Sequence, residues 1–210
     1  MDSIIFDVDG TLWDSTEIVA QAWTWYLQTR EHMDITLTSQ RLMSLFGQLL
    51  PDIARQLFPD LSEAEQLRII DGCCQAEHEA LLKKCAPLYE GLEHTLQELG
   101  KKYPLFIVSN CQDGYIPCFL EAHGLAPLFA DWECSGHTGK SKGENIRMVI
   151  ERNRLDRAVY LGDTLGDQRA AEEAGIPFLH AAYGFGQPDK PVPSLKAFSD
   201  LPSLLSYILR

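Results

Sequence analysis

SIIFDVDGT, residues 3–11, sets four apolar or small residues against two carboxylates, Asp7 and Asp9, and closes on Gly10 and Thr11. The run is short, rich in β-branched and aromatic residues, and ends in a turn signal, so it predicts a strand buried on both faces. A buried ionised carboxylate costs several kcal/mol unless it is paired or bound to a cation. Two of them, two residues apart, therefore need water or a positive partner at the end of that strand.

Other short apolar runs ending in small or polar residues follow: PLFIVSN (104–110), LFADWEC (128–134), RAVYLGD (157–163) and PFLHAAY (177–183). Helical patterns lie between them, DGYIPCFLEAHG (113–124), GENIRMVIERNRL (143–155) and GDQRAAEEAG (166–175), with Gly124 and Gly175 placed to close two of them. Alternating strand and helix predicts an α/β fold with a doubly wound parallel sheet. From about Ser15 to Cys85 the alternation stops and helix follows helix. STEIVAQAWTWYLQTREH carries Ile18, Ala22, Trp25 and Tyr26 at helical spacing. TSQRLMSLFGQLLPDIARQLF reads as two helices broken near Gly47 and Pro51. LSEAEQLRIIDGCC opens with Ser62 and Glu65 in capping-box spacing. The expected organisation is a core domain of residues 1–14 and 87–210 with an inserted α-helical cap domain, 15–86. The segment GQPDKPVPSLKAF (186–198) predicts a proline-rich surface loop.

The chain has 210 residues and a formal net charge of −12, which argues against nucleic acid or an anionic membrane surface as the main partner. No apolar run is long enough for a membrane span and no signal peptide is expected. The six cysteines form no C-x-x-C pair, so they predict free thiols in a reducing, cytoplasmic compartment.

Ligands of open α/β sheets bind outside the carboxyl ends of the strands. Those ends carry Asp7, Asp9 and Thr11, then Ser109 and Asn110, then Asp163 with Asp167 on the following turn. Carboxylates converging from several strands call for a hard cation with oxygen ligands, and Mg²⁺ fits. TGKSKGENI offers two lysines, Lys140 and Lys142, and spacing alone does not choose between them.

DVDGT after a strand, SN after a second, a lysine before a helix and GDTLGD after a later strand resemble the haloacid dehalogenase superfamily, most closely its phosphoglycolate phosphatase-like branch. The helical insertion resembles that superfamily's cap. The resemblance implies a Mg²⁺-dependent phosphatase acting on a small phosphorylated metabolite through an aspartyl-phosphate. Asp7 would be the nucleophile and Asp9 the general acid and base. Asp7, Asp163, the Asp9 carbonyl and Asp167 would hold the metal, with Asp167 direct or through water. Thr11, Ser109 and the Asn110 N–H would bind the phosphoryl group, and Lys142, preferred over Lys140 by its place before the helix, would neutralise charge. Gln48 lies where the family's cap loop selects substrate. Asp9 argues against a dehalogenase, which lacks the second aspartate. A phosphomutase is disfavoured because Val19 fills the position of its cap histidine. A non-enzymatic module binding phospho-metabolites is the remaining alternative, disfavoured by the presence of both aspartates.

Overall fold

The computed structural model describes residues 3–208. In chain order its elements are β1 (Ser3–Phe6), α1 (Thr16–Thr29), α2 (Ser39–Met43), α3 (Leu50–Leu57), α4 (Glu63–Lys84), α5 (Leu92–Gly100), β2 (Leu105–Ser109) and α6 (Tyr115–His123). There follow β3 (Phe129–Cys134), α7 (Ser135–Thr138), α8 (Lys142–Asn153), β4 (Ala158–Gly162), α9 (Leu165–Ala174), β5 (Phe178–Ala181), β6 (Ser194–Leu195) and α10 (Leu201–Ile208).

The strands form one sheet in the order β3-β2-β1-β4-β5-β6, and every pair is parallel. β1 is central because both its faces are apolar. Ile4 and Phe6 join one buried cluster with Leu105, Ile107, Val159 and Leu161; Ile5 joins a second with Phe106, Val108 and Tyr160. Successive side chains of a strand point to opposite faces, so a continuous apolar run feeds two cores at once. Helices α8 and α9 cover the second core with Ile146, Val149 and Ala171, while Leu96, Phe119 and Leu201 from α5, α6 and α10 cover the first. Each fully buried Ile, Leu or Val contributes about 1.5–3 kcal/mol, less what ordering the chain costs. The chain leaves β1 toward β2 and β3 on one side and returns to β4 on the other. The order therefore reverses beside β1, where a crevice opens at the carboxyl ends.

Helices α1 to α4 hold no strand between them. Ser62 and Glu65 form the expected capping box. The stripe of α1 that is buried runs through Val19, Ala20, Trp23 and Leu27 rather than Ile18 and Trp25, and Trp25 is 49% exposed. The helix is apolar on more than one side, so its own pattern does not show which face α4 will cover. TSQRLMSLFGQLLPDIARQLF folds as two helices, α2 and α3, parted around Gly47, and Pro51 sits in the first turn of α3, where its missing N–H has no partner to lose. Two more differences concern the sheet. Regular pairing of β1 ends at Phe6, with one further bond from the Asp7 N–H to the Leu161 carbonyl (2.9 Å), so Asp7 and Asp9 stand on the exit from the strand. The segment expected to be wholly loop contributes β6, whose two residues pair with His180 and Ala181.

The chain enters and leaves the 15–86 segment side by side. The Asp14 N–H donates to the Pro87 carbonyl, the Tyr89 N–H to Leu12, and Trp13 bridges Leu88 antiparallel.

Candidate active site

Asp7, Asp9, Ser109 and Asn110 reach one chamber at the carboxyl edge, roofed by Trp23, Gln48 and Glu77 from the helical segment. The chamber is small and partly open. Its free space is about 40 Å³, room for a few waters.

Asp9 is held at one oxygen. Its Oδ1 accepts from Ser15 Oγ (2.6 Å), Tyr115 Oη (2.7 Å) and Trp13 Nε1 (2.9 Å). Burial pushes its carboxyl up to about 6, against the pull of these three donors. Tyr115, Ser15 and Trp13 went unassigned from sequence: the Tyr115 partner lies 106 residues away, at the start of α6, and no local pattern signals it.

Below Asp9 lies a group of three carboxylates. Oxygens of Asp7, Asp163 and Asp167 come within 4.8 Å of one another, all buried. Lys142, in the first turn of α8, reaches Asp167 Oδ1 at 2.6 Å and Asp7 Oδ1 at 3.0 Å. It is buried, while Lys140 is exposed and takes no part. The open choice between the two lysines falls on Lys142 because the Ser141–Glu144 capping box starts α8 there. That start turns the residue after the cap inward.

Electrostatics follow from the geometry. Burial and the charge of Asp167 push Asp7 up to about 7, against Lys142 and the Ser109 hydroxyl. Asp163 is also held well above the ordinary carboxylate range by burial and by its two acidic neighbours. Burial acts the same way on Asp167, but the Lys142 ammonium and the Thr164 donors outweigh it and hold this carboxyl low. Lys142 is the mirror case: burial pulls its ammonium down, and Asp167 with Asp7 more than restores it.

Asp167 is saturated. Oδ1 accepts from Lys142 and Tyr160, and Oδ2 from the Asp163 and Thr164 N–H groups and the Thr164 hydroxyl. A carboxylate offers about four lone-pair sites, so Asp167 has none to spare. Asp163 is lighter: Oδ2 accepts from the Phe185 N–H (2.7 Å) and Oδ1 meets Thr11 Oγ1 at 3.4 Å. Thr11, expected at the phosphoryl group, is turned to Asp163 instead and does not line the chamber. The reason is Gly10, at φ +78°, where the chain bends so tightly that a Cβ would lie 2.3 Å from Asp163 Oδ2. Asn110 spends its side chain elsewhere, donating to the Gly47 carbonyl (2.9 Å) and accepting from Ser135 Oγ. Gln48 lines the roof as expected and is bonded to Gln56.

The donor set fits Mg²⁺. Three buried carboxyls meet one ammonium, two of them held above the ordinary carboxylate range for want of a further cation, and Asp7 Oδ1 has the Lys142 ion pair at 3.0 Å but no well-aligned hydrogen bond. Hard oxygen donors with no sulfur or imidazole suit such an ion.

A family model described as "Haloacid dehalogenase-like hydrolase" matches residues 4–181. The chain belongs to this family. The hydrolase is 28% identical over 212 residues to a phosphoglycolate phosphatase of Rhodobacter capsulatus, covering 96% of this chain and 94% of that one. Its fold is shared with a haloacid dehalogenase-like hydrolase of Streptococcus pneumoniae (TM-score 0.81, 22% identity, 99% and 98% covered). It is shared as well with a phosphoglycolate phosphatase predicted for Haemophilus somnus (TM-score 0.79, 21% identity, 98% of each chain).

Proposed function

We propose that this hydrolase is a Mg²⁺-dependent phosphatase that cleaves a small phosphate monoester through an aspartyl-phosphate on Asp7. The observation that carries the proposal is the division of labour between two neighbouring carboxyls. Asp7 touches the ammonium of Lys142 and the carboxylate group, whereas Asp9 stays out of that group, fixed at one oxygen and shifted toward neutrality.

An Asp7 oxygen attacks phosphorus as the ester oxygen leaves on the opposite side. Asp9, protonated, gives that oxygen its proton and prevents departure as an alkoxide. The free alcohol exits. Asp9, now ionised, takes a proton from a water that attacks the acyl-phosphate, and Asp7 is released with inorganic phosphate. Ser109 and the Asn110 N–H hold phosphoryl oxygens, and Lys142 keeps the nucleophile from being repelled by the phosphate. Asp7, Asp163 and the Asp9 carbonyl would hold Mg²⁺, which would supply further positive charge at the phosphoryl oxygens, while Asp167, saturated by its own donors, would fix Lys142.

Residues 15–86 act as a cap in this proposal. The paired linkers at Asp14 and Pro87 serve as its hinge, and the Asn110–Gly47 bond ties the roof to the core when closed. With only about 40 Å³ free in the chamber, substrate enters an opened form and closure then excludes bulk water. The name of the curated relatives makes 2-phosphoglycolate the first ester to assay. Six unpaired cysteines support a reducing, cytoplasmic setting.

The test is hydrolysis of p-nitrophenyl phosphate with Mg²⁺ and with chelator, in the native protein and in Asp7→Asn and Asp9→Asn. Turnover should need both carboxylates and the metal. Asp7→Asn retaining more than about a tenth of native kcat would remove Asp7 as nucleophile.

A further inference from the structure

The roof of the chamber carries a carboxyl that the proposed chemistry does not use. Glu77, on α4, is 3% exposed. Its Oε2 accepts from Trp23 Nε1 and its Oε1 from Gln112 Nε2. Each carboxylate oxygen has two lone-pair sites, so one on each remains for a ligand. The rest of the wall is apolar, through Trp23, Phe46 and Ile53, or amide, through Gln48 and Gln112.

Among the described residues the chamber wall holds no lysine or arginine. Lys142 lies beneath and is committed to Asp7 and Asp167. Lys140 is exposed on a neighbouring groove. His78 stacks on Tyr115 and touches Gln112, and burial lowers its affinity for a proton, which keeps the ring neutral.

From this wall we propose that the chamber selects a phosphate monoester whose small alcohol carries a hydrogen-bond donor, a protonated amine above all, which pairs with Glu77, and that it rejects an alcohol ending in a carboxylate. The proposal rests on the phosphatase reading and departs from the substrate in the relatives' name. A leaving-group carboxylate would give up its water and find no cation to meet it, in a chamber where burial already pushes Glu77 up to about 8 and Asp9 up to about 6. An ammonium in the same place meets the two spare lone pairs of Glu77, draws that carboxyl to its ionised form against burial, and completes a desolvated ion pair.

Three esters of matched length differ only at the far end of a two-carbon alcohol: O-phosphoethanolamine, 2-hydroxyethyl phosphate and 2-phosphoglycolate. Their kcat/KM values should fall in that order, with at least about tenfold between first and last. Glu77→Gln keeps the shape and removes the charge. It should reduce the ratio of the amine ester to the carboxylate ester at least about tenfold. 2-Phosphoglycolate equalling or outrunning either of the others in the native enzyme overturns the proposal, as does an unchanged ratio in Glu77→Gln. The native ranking decides even if the variant does not fold. Failure of the phosphatase reading looks different: none of the three esters, nor p-nitrophenyl phosphate, is then hydrolysed.

Discussion

Asp7→Asn should make the metal-free protein more stable while removing turnover. Asp7 is 2% exposed, and its carboxyl moves from 3.8 to about 7 in the fold, mainly through burial and the charge of Asp167. A proton affinity raised in the folded state means that the fold resists ionisation of this group. The cost is almost absent below about pH 4, grows as pH rises and is complete above about pH 7. At about 1.4 kcal/mol for each tenfold in affinity, keeping Asp7 ionised at pH 8 costs about 4 kcal/mol. Asparagine has no charge to keep, but its amide loses part of the contact with Lys142, which brings the expected gain to about 3 kcal/mol. For a chain of this length each kcal/mol moves Tm by about 2–4 °C, so Asp7→Asn should melt about 6–12 °C higher. The assay is thermal unfolding followed by circular dichroism at pH 8 in chelator, repeated at pH 4, where the gap should shrink to about 1 kcal/mol or less. Adding Mg²⁺ at about a hundred times its Kd should raise the native protein by about 2.7 kcal/mol and the variant by much less. If Asp7→Asn melts at or below native temperature at pH 8 without metal, the electrostatic account of this site is wrong.

Activity should depend on Mg²⁺ and be inhibited by Ca²⁺. The larger ion takes more ligands and engages both oxygens of Asp7, so none stays free to attack; full activity in excess chelator contradicts this. Lys142→Ala should cost at least about a hundredfold in kcat, because it leaves three buried carboxylates uncompensated, and exposed Lys140→Ala should cost almost nothing. A kinetic comparison of the pair checks the order. Tyr115→Phe removes one of the donors that pull Asp9 down from the position burial gives it. Loss of the protonated acid sets the alkaline limb of the kcat/KM profile, so that limb should move to higher pH in Tyr115→Phe, and a limb that stays or moves down refutes the link.

Three of the four motifs could be read because each lies where an apolar strand runs out. β1, β2 and β4 must be buried to exist as central parallel strands, so the polar residues that follow them are bound to meet at one edge. The lysine needed only the Ser141–Glu144 capping spacing to fix the start of α8. The clamp on Asp9 was not legible in the same way. Trp13, Ser15 and Tyr115 read as ordinary core and cap residues until α6 is set against the strand exit, and that packing is a tertiary fact. Glu77 is similar: within GCCQAEHEALLKK it reads as one more polar residue of a long helix, and only the docking of α4 on α1 and α6 buries it. Thr11 is a different case. Its place in the motif suggests a phosphate contact, while the Gly10 bend carries its hydroxyl to Asp163. Which face of α1 is buried was not legible, because that helix is apolar on several sides and its partner α4 decides which side counts.

The two strands of chain at Asp14 and Pro87, lying within one hydrogen bond of each other, have a bearing on ancestry. A segment whose ends already touch is, for the sheet beneath it, a loop tied off at its base. Its length and contents can change while the ends stay where they are, and the entropy of closing a longer loop grows only with the logarithm of its length. The sheet and its carboxylates can thus stay as they are while residues between the knots are exchanged by insertion, deletion or recombination. If residues 15–86 are the cap proposed above, drift at such a locus would alter what is admitted to the chamber and leave unaltered what is done there.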